Sequence, residues 1–259
     1  MKYTIYFFLL LSYSICAQKA IETSFIKKTA LKADLFIAID NFDTKYFINN
    51  NVFIKKNANK TITYNNLQLG NITSANAFNP LKINLFYKDL NSIVILDNRL
   101  SEIFKIDFNT LVKYKNVSHV STGHDNTIWI FNQDNQKLEL FDYKTRTTRA
   151  QTVPIQNVVL DLKSNYNFCY LLTKNYLYTY NYFGSLVKKI KNNGYMQLTE
   201  SNGDIFLNKN NSLVYLKKNS DTIVPISIPN LFINEFFVTN ETLYIYTDKN
   251  LHEYKIKID

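Results

Sequence analysis

The stretch 126–142, N-T-I-W-I-F-N-Q-D-N-Q-K-L-E-L-F-D, constrains the fold more than any other part of the chain. Ile128 and Ile130, then Leu138 and Leu140, recur at every second position, the period of a strand with one face against a core. Trp129, Phe131 and Phe141 add aromatic bulk, and the polar run 132–136 breaks the two apolar segments apart as a turn. Units of the same kind recur down the chain.

Five groups of four strand-like segments follow one another. They are 33–39, 44–48, 52–56 and 61–64; 72–78, 83–87, 92–96 and 102–108; 117–122, 127–131, 137–142 and 146–153; 158–163, 168–173, 176–180 and 186–191; 195–199, 204–207, 213–217 and 222–228. A sixth group, 233–238, 242–246 and 251–257, has three. A period of about 40 residues suits a four-stranded propeller blade. The fold class expected is all-β: a six-bladed β-propeller with four-stranded antiparallel blades. The orphan segment 21–28 supplies the missing strand, so the last blade is closed by an N-terminal strand and the ring loses an open sheet edge. With only 5 Gly and 4 Pro in 259 residues, the turns must be built from Asn and Asp, which tolerate left-handed backbone and bond their own main chain.

The first residues read as an export signal. Lys2 is the positive end, 5–11 the apolar run and 12–17 a small, polar stretch ending S-I-C-A, with Gln18 next. The apolar run is too short to span a membrane. Cleavage is expected after Ala17, leaving 18–259 as one propeller domain. The rival is a lipoprotein signal with Cys16 acylated, which Tyr13-Ser14-Ile15 fits poorly. Loss of Lys2 lowers the net charge from +9 by one, to +8. Cys169 is then the one cysteine left, in the apolar run F-C-Y-L-L, and reads as a buried thiol.

The units resemble the blades of six-bladed NHL and TolB-like propellers, in which N-x-[IL]-[WYF]-[VIL] and L-x-x-[FY]-D strands alternate with turns. The matching pieces are 126–130 with 138–142, 203–207 with 213–216, and 240–245 with 251–256, with Asn in place of most blade glycines. The chain also resembles exported propeller proteins of Bacteroidota. That implies an envelope location, periplasmic or associated with the outer membrane, and nothing about chemistry.

A fold does not dictate a function, so any chemistry must come from sets of side chains. His119 and His124 lie five apart across a strand and its turn, and His252 is on another blade; with the wrong spacing and companions, no metal site is expected. There is no G-x-S-x-G and no Gly-rich phosphate loop, and Asp134 lacks the repeated acids of a calcium loop. Neither a cofactor nor a catalytic residue is expected. Asp40, Asp161 and Glu235 fall on inner strands and read as scattered channel-lining acids. The lysine pairs 27–28, 55–56, 188–189 and 217–218 fall on outer strands, where charge protects edges from aggregation; nucleic acid is not an expected partner. Tyr176, Tyr178, Tyr180 and Tyr182 alternate as packing residues.

The segment 67–88 departs most from the repeat, with Asn79-Pro80-Leu81 in place of a short turn. Such departures are where repeat folds place binding surfaces. The partner surface expected here comprises Asn79, Pro80, Leu81, Lys82, Tyr87, Lys88 and Asp89. The reading is a monomeric, non-catalytic binding or scaffold subunit for envelope proteins. Two alternatives stay open: a lyase or hydrolase on an anionic polymer, marked by acids and bases gathered at one channel mouth, and a carbohydrate or small-ligand binder using Trp129 and tyrosines.

Overall fold

The computed structural model describes residues 20–258. The segment 1–17 expected to be an export signal, with Cys16, lies outside the described residues. The first strand is β1 (Ile21–Ala30). Blade one is β2 (Leu35–Ile39), β3 (Lys45–Asn49), β4 (Val52–Lys56) and β5 (Thr61–Tyr64). Blade two is β6 (Ser74–Asn76), β7 (Ile83–Tyr87), β8 (Ser92–Leu96) and β9 (Glu102–Asp107). Blade three is β10 (Val117–Thr122), β11 (Thr127–Asn132), β12 (Lys137–Asp142) and β13 (Thr147–Gln151). Blade four is β14 (Val159–Ser164), β15 (Phe168–Thr173), β16 (Tyr176–Asn181) and β17 (Leu186–Lys191). Blade five is β18 (Gln197–Ser201), β19 (Asp204–Lys209), β20 (Ser212–Leu216) and β21 (Ile223–Ser227). Blade six is β22 (Glu235–Thr239), β23 (Thr242–Thr247) and β24 (Asn250–Ile256), completed by β1.

Blades one to four are separate four-stranded sheets. Blades five and six form one eight-stranded sheet, because β1 touches both. It pairs antiparallel with β24 from Thr23↔Ile256 to Ala30↔Asn250, and parallel with β21 at Ile21↔Ile226 and Glu22↔Ser227. The first strands of the blades, β2, β6, β10, β14, β18 and β22, each contact the next, and β22 returns to β2. The propeller therefore has six blades around a closed inner ring.

The core is divided among the interfaces between blades. Each of the six contacts holds its own apolar cluster: Trp129 and Leu140 meet Leu171 and Tyr180 between blades three and four, while Phe36 and Phe47 meet Tyr246 and Leu251 where the ring closes. A blade buries both faces of its middle strands against its neighbours. This is why β7, β8 and β11 are buried at every position and read as near-continuous apolar runs, whereas the outer β13 and β17 expose alternate or successive residues. Cys169 is fully buried in the cluster between blades three and four.

The turn chemistry follows the scarcity of glycine. Asn50-Asn51, Asn210-Asn211, Asn240-Glu241 and Asp248-Lys249 all have positive φ at both positions, the geometry of the two-residue hairpin turn that matches strand twist. Blade two departs from expectation. Its inner strand is only Ser74–Asn76, not 72–78, because Asn76 Oδ1 accepts the Phe78 N–H and Asn79 Oδ1 accepts the Leu81 N–H, which bends the chain into turns. Upstream, Leu67–Leu69 is a 3₁₀ turn capped by the Asn66 side chain.

Two faces result. Face one carries the turns between first and second and between third and fourth strands. Face two carries the turns between second and third strands and the connections between blades. On face one, Lys82 is buried and its Nζ donates to the carbonyls of Gly123 at 2.6 Å, Asp125 at 2.8 Å and Thr127 at 3.1 Å, tying blade two to the first turn of blade three. On face two, buried Lys115 pairs with Glu139, which also accepts from Asn132, Asn135 and Thr148.

Deleting 18–28 from a chain that starts at Gln18 exposes the β24 edge and is expected to cost several kcal/mol of a marginal total, seen as a large drop in melting temperature and solubility. Ser24→Cys with Lys255→Cys, Cα partners across the seam, should form a disulfide on oxidation and raise the melting temperature. A deletion variant that melts like the chain starting at Gln18 would count against the closure. Separately, Lys82→Met leaves three carbonyls without their donor and should destabilise by about 2–4 kcal/mol in a urea titration; loss below about 0.5 kcal/mol would show that the tie is dispensable.

Candidate functional site

The inner strands leave a channel. Its main cavity, about 300 Å³, is lined by β2, β6, β14, β18 and β22, and a second space of about 240 Å³ adds the start of β10. Because inner strands run from face two to face one, early residues in each strand lie toward face two. Asp161, Glu235, Gln197 and His119 gather there.

Their environments differ. Asp161 Oδ1 accepts the Leu162 N–H at 2.8 Å and lies 3.6 Å from Lys163 Nζ, while Oδ2 accepts the Leu198 N–H at 2.9 Å, so this carboxylate links blades four and five. The Glu235 carboxyl has no hydrogen bond among the described residues, although its backbone pairs with Tyr246. Burial pushes its carboxyl up to about 7, Lys163 opposes the rise and Asp161 adds to it. His119 Nδ1 shares a 2.9 Å hydrogen bond with Ser118 Oγ, and burial holds the imidazole below its ordinary range, with Asp161 pulling the other way. At the face-one end, Glu200 Oε1 accepts from Asn165 Nδ2 at 2.8 Å and the Gly203 N–H at 2.7 Å; burial raises its pKa. Among the described residues no three His, Cys, Asp or Glu side chains come together as a metal-ligand set.

Of the three acids expected on the inner strands, Asp161 and Glu235 share the channel. Asp40 does not line it. It lies just past the end of β2 and accepts the Phe42 and Thr44 N–H groups and the Tyr46 hydroxyl at 2.9–3.0 Å, which makes it a turn cap. Glu200 and Gln197, overlooked in the sequence, also line the channel; both sit on β18, and the inner-strand register was the available signal. Trp129 is only 2 % exposed, inside the interface of blades three and four, and cannot serve as a stacking platform. Tyr176, Tyr178 and Tyr180 line up along β16, the first pair tilted with centroids 5.8 Å apart and the second stacked at 5.9 Å; Tyr182 instead projects at the following turn and meets His124.

The seven residues expected to form one partner surface are divided. Tyr87 and Lys82 are buried. Asn79, Pro80 and Leu81 belong to the first turn of blade two on face one. Lys88 and Asp89 belong to its second turn on face two, with the whole of β7 between. A five-residue strand spans about 17 Å, so the two groups cannot touch one flat partner.

Face one carries other exposed apolar side chains. Phe42, Leu81 and Phe183 are 87 %, 65 % and 65 % exposed. Phe78 meets Tyr166 edge-on at 5.1 Å, so a blade-two turn touches a blade-four turn beside the channel mouth, and Tyr182 packs on Phe183 at 4.1 Å.

No family model matches the chain, and no curated protein matches it. Solved propellers do match in shape. A catalytically inactive histidine-to-alanine variant of virginiamycin B lyase from Staphylococcus aureus, with quinupristin, is 11 % identical with a TM-score of 0.62, covering 91 % of this chain and 100 % of that one. BamB from Moraxella catarrhalis is 10 % identical with a TM-score of 0.53, covering 92 % and 98 %. PorZ, an essential bacterial surface component of the type-IX secretion system of Porphyromonas gingivalis, is 12 % identical with a TM-score of 0.50, covering 92 % of this chain and 39 % of its own. Identities this low carry the fold alone. Among the described residues, no helix is long and apolar enough to cross a membrane.

The raised Glu235 pKa has a signed consequence. The folded state holds a proton that the unfolded carboxyl, near 4.5, has lost, so this group's contribution to stability falls as pH rises from about 4.5 to about 7. Glu235→Gln should remove that part of the slope and raise stability at neutral pH by about 1–3 kcal/mol. Melting curves of both proteins between these limits check it: parallel profiles would mean that Glu235 ionises as freely as in water.

Proposed function

We propose that this chain is an exported, non-catalytic propeller of the bacterial envelope that binds a protein partner through face one. The exposed aromatic patch carries this reading. Phe42, Phe78, Leu81, Tyr166, Tyr182 and Phe183 project from turns of blades one, two and four, and soluble monomers seldom expose large apolar side chains in such groups unless they bind something. Aromatic side chains are the usual anchors of protein interfaces. The neighbouring turns carry both signs of charge, Asp43, Asp97, Arg99, Asp125, Lys144 and Arg146. A mixed rim suits a protein surface better than an anionic membrane, which would favour cations alone. Asn79, Pro80 and Leu81 belong to this surface.

The envelope location draws on the signal-like residues 1–17 and on likeness in fold to PorZ, a bacterial surface component. A second reading, a lyase or hydrolase acting on an anionic polymer, draws on the gathering of Asp161, Glu235 and His119 toward face two of the channel.

Photo-crosslinking in the native cell tests the first reading. A photoreactive residue at Phe183 or Leu81 should give a protein adduct of defined mass, and one at Lys105 on an outer strand should not. Phe42→Glu with Tyr166→Glu should abolish the adduct while leaving the melting temperature nearly unchanged. Equal labelling from all three positions, or adducts untouched by the charge substitutions, would remove face one as the docking surface.

A further inference from the structure

Face two holds a groove that neither the aromatic patch nor the channel accounts for. It has a volume of about 760 Å³ and runs from the channel mouth outward between blades three and four. Turns set its walls: Lys88 from blade two, Gln133 and Gln136 from blade three, Gln156 from the connection to blade four, and Lys174 and Asn175 from blade four. Ser118 and His119 form its inner end, where it joins the channel mouth.

Three features define its chemistry. The first is charge: two ammonium groups line it and no carboxylate does. Neither Lys88 nor Lys174 has an ion-pair or hydrogen-bond partner for its Nζ among the described residues. Of the acids on neighbouring elements, Asp134 accepts from Asn116 Nδ2 at 3.0 Å and Asp161 meets Lys163 and the Leu198 N–H, while Asp89, next to Lys88 on its turn, does not line the groove. The second is the concentration of carboxamides. The side chains of Gln133, Gln136, Gln156 and Asn175 make no hydrogen bond among the described residues, so each presents both a donor and an acceptor. The third is Val158, exposed in the wall between them, which offers a small apolar face.

Amide groups that both donate and accept match hydroxyl groups, which do the same. Ammonium groups without internal acids match carboxylates. We propose that this groove binds a carboxylated oligosaccharide, the amides reading its hydroxyls and Lys88 and Lys174 its acidic groups. This proposal is independent of protein binding on the opposite face and requires no catalysis. Lys88, expected from the sequence to meet a protein, here meets an acidic glycan.

Calorimetric titration of the mature chain, 18–259, at low salt tests it, with a tetramer of galacturonic acid as the probe. Maltotetraose, neutral but hydroxylated, and tetra-aspartate, acidic but without hydroxyls, serve as comparisons. Saturable binding of the acidic tetramer is expected, at least about tenfold tighter than either comparison. Lys88→Ala with Lys174→Ala should weaken it by about tenfold or more, and Gln133→Ala with Gln156→Ala by at least about threefold. Lys105→Ala with Lys191→Ala, on exposed outer strands, should change it by less than about twofold, so that general attraction to a basic protein is separated from a site. All six positions are exposed, and unchanged melting temperatures confirm that each variant is folded. Absence of saturable binding overturns the proposal. So does tetra-aspartate binding as tightly, or equal loss in the outer-strand variant.

Discussion

The seam between β1 and β24 is the interaction on which the rest depends. A propeller blade cannot bury its two faces alone, and each of the six apolar clusters exists only because the next blade is in place. In an open array the terminal blades would each leave one face and one edge to water. Here the chain's first strand completes its last blade through a seven-pair antiparallel register and reaches across to β21, where Thr23 Oγ1 donates to the Ser227 carbonyl at 2.6 Å. This seam supplies the hydrogen bonds that join the two ends of the chain, and the packing of Phe36 and Phe47 against Tyr246 and Leu251 lies on the other side of the same blade.

Closure also determines where polar chemistry can sit. Apolar side chains are consumed between blades, so polar groups collect along the inner strands and at the turns. The same rule produces structural and chemical polar groups, and only their partners tell them apart. Lys82 is buried with its ammonium group satisfied and ties blade two to blade three, and Lys115, on the connection into blade three, is buried against Glu139 and Thr148 of that blade. The Glu235 carboxyl is half-buried, makes no hydrogen bond among the described residues and is pushed up to about 7 by desolvation. Lys88 and Lys174 are exposed and have no ion-pair partner among the described residues. The two faces are correspondingly unlike: aromatic rings crowd the turns of face one, and amides and lysines line the groove of face two.

A strand period of two, a repeat of about 40 residues and an incomplete last unit were enough to read the blades, their number and the closing strand from the sequence. These are local or countable properties. Asn-rich turns were legible too, because a glycine-poor chain has few other residues that accept positive φ. Blade two was harder: Asn76 and Asn79 bend the backbone through side-chain bonds whose outcome depends on rotamer, so a strand expected over 72–78 shrank to three residues. Asp40 was misplaced by a single position, since the residue after a strand's end points to the turn instead of the channel.

What the sequence by itself determined is the fold class, because alternation and repeat length are written along the chain and tolerate imprecise boundaries. Tertiary structure alone decided which residues meet. Tyr87 and Lys88 are adjacent in sequence, yet one is sealed between blades and the other opens onto face two. Phe78 and Tyr166, 88 positions apart by their numbers, touch beside the channel mouth. Lys88, Gln133 and Lys174 come from three blades and share one groove. The physical reason is that a closed ring turns distance along the chain into angle around an axis, and a site there is assembled from single residues at the same height on successive blades.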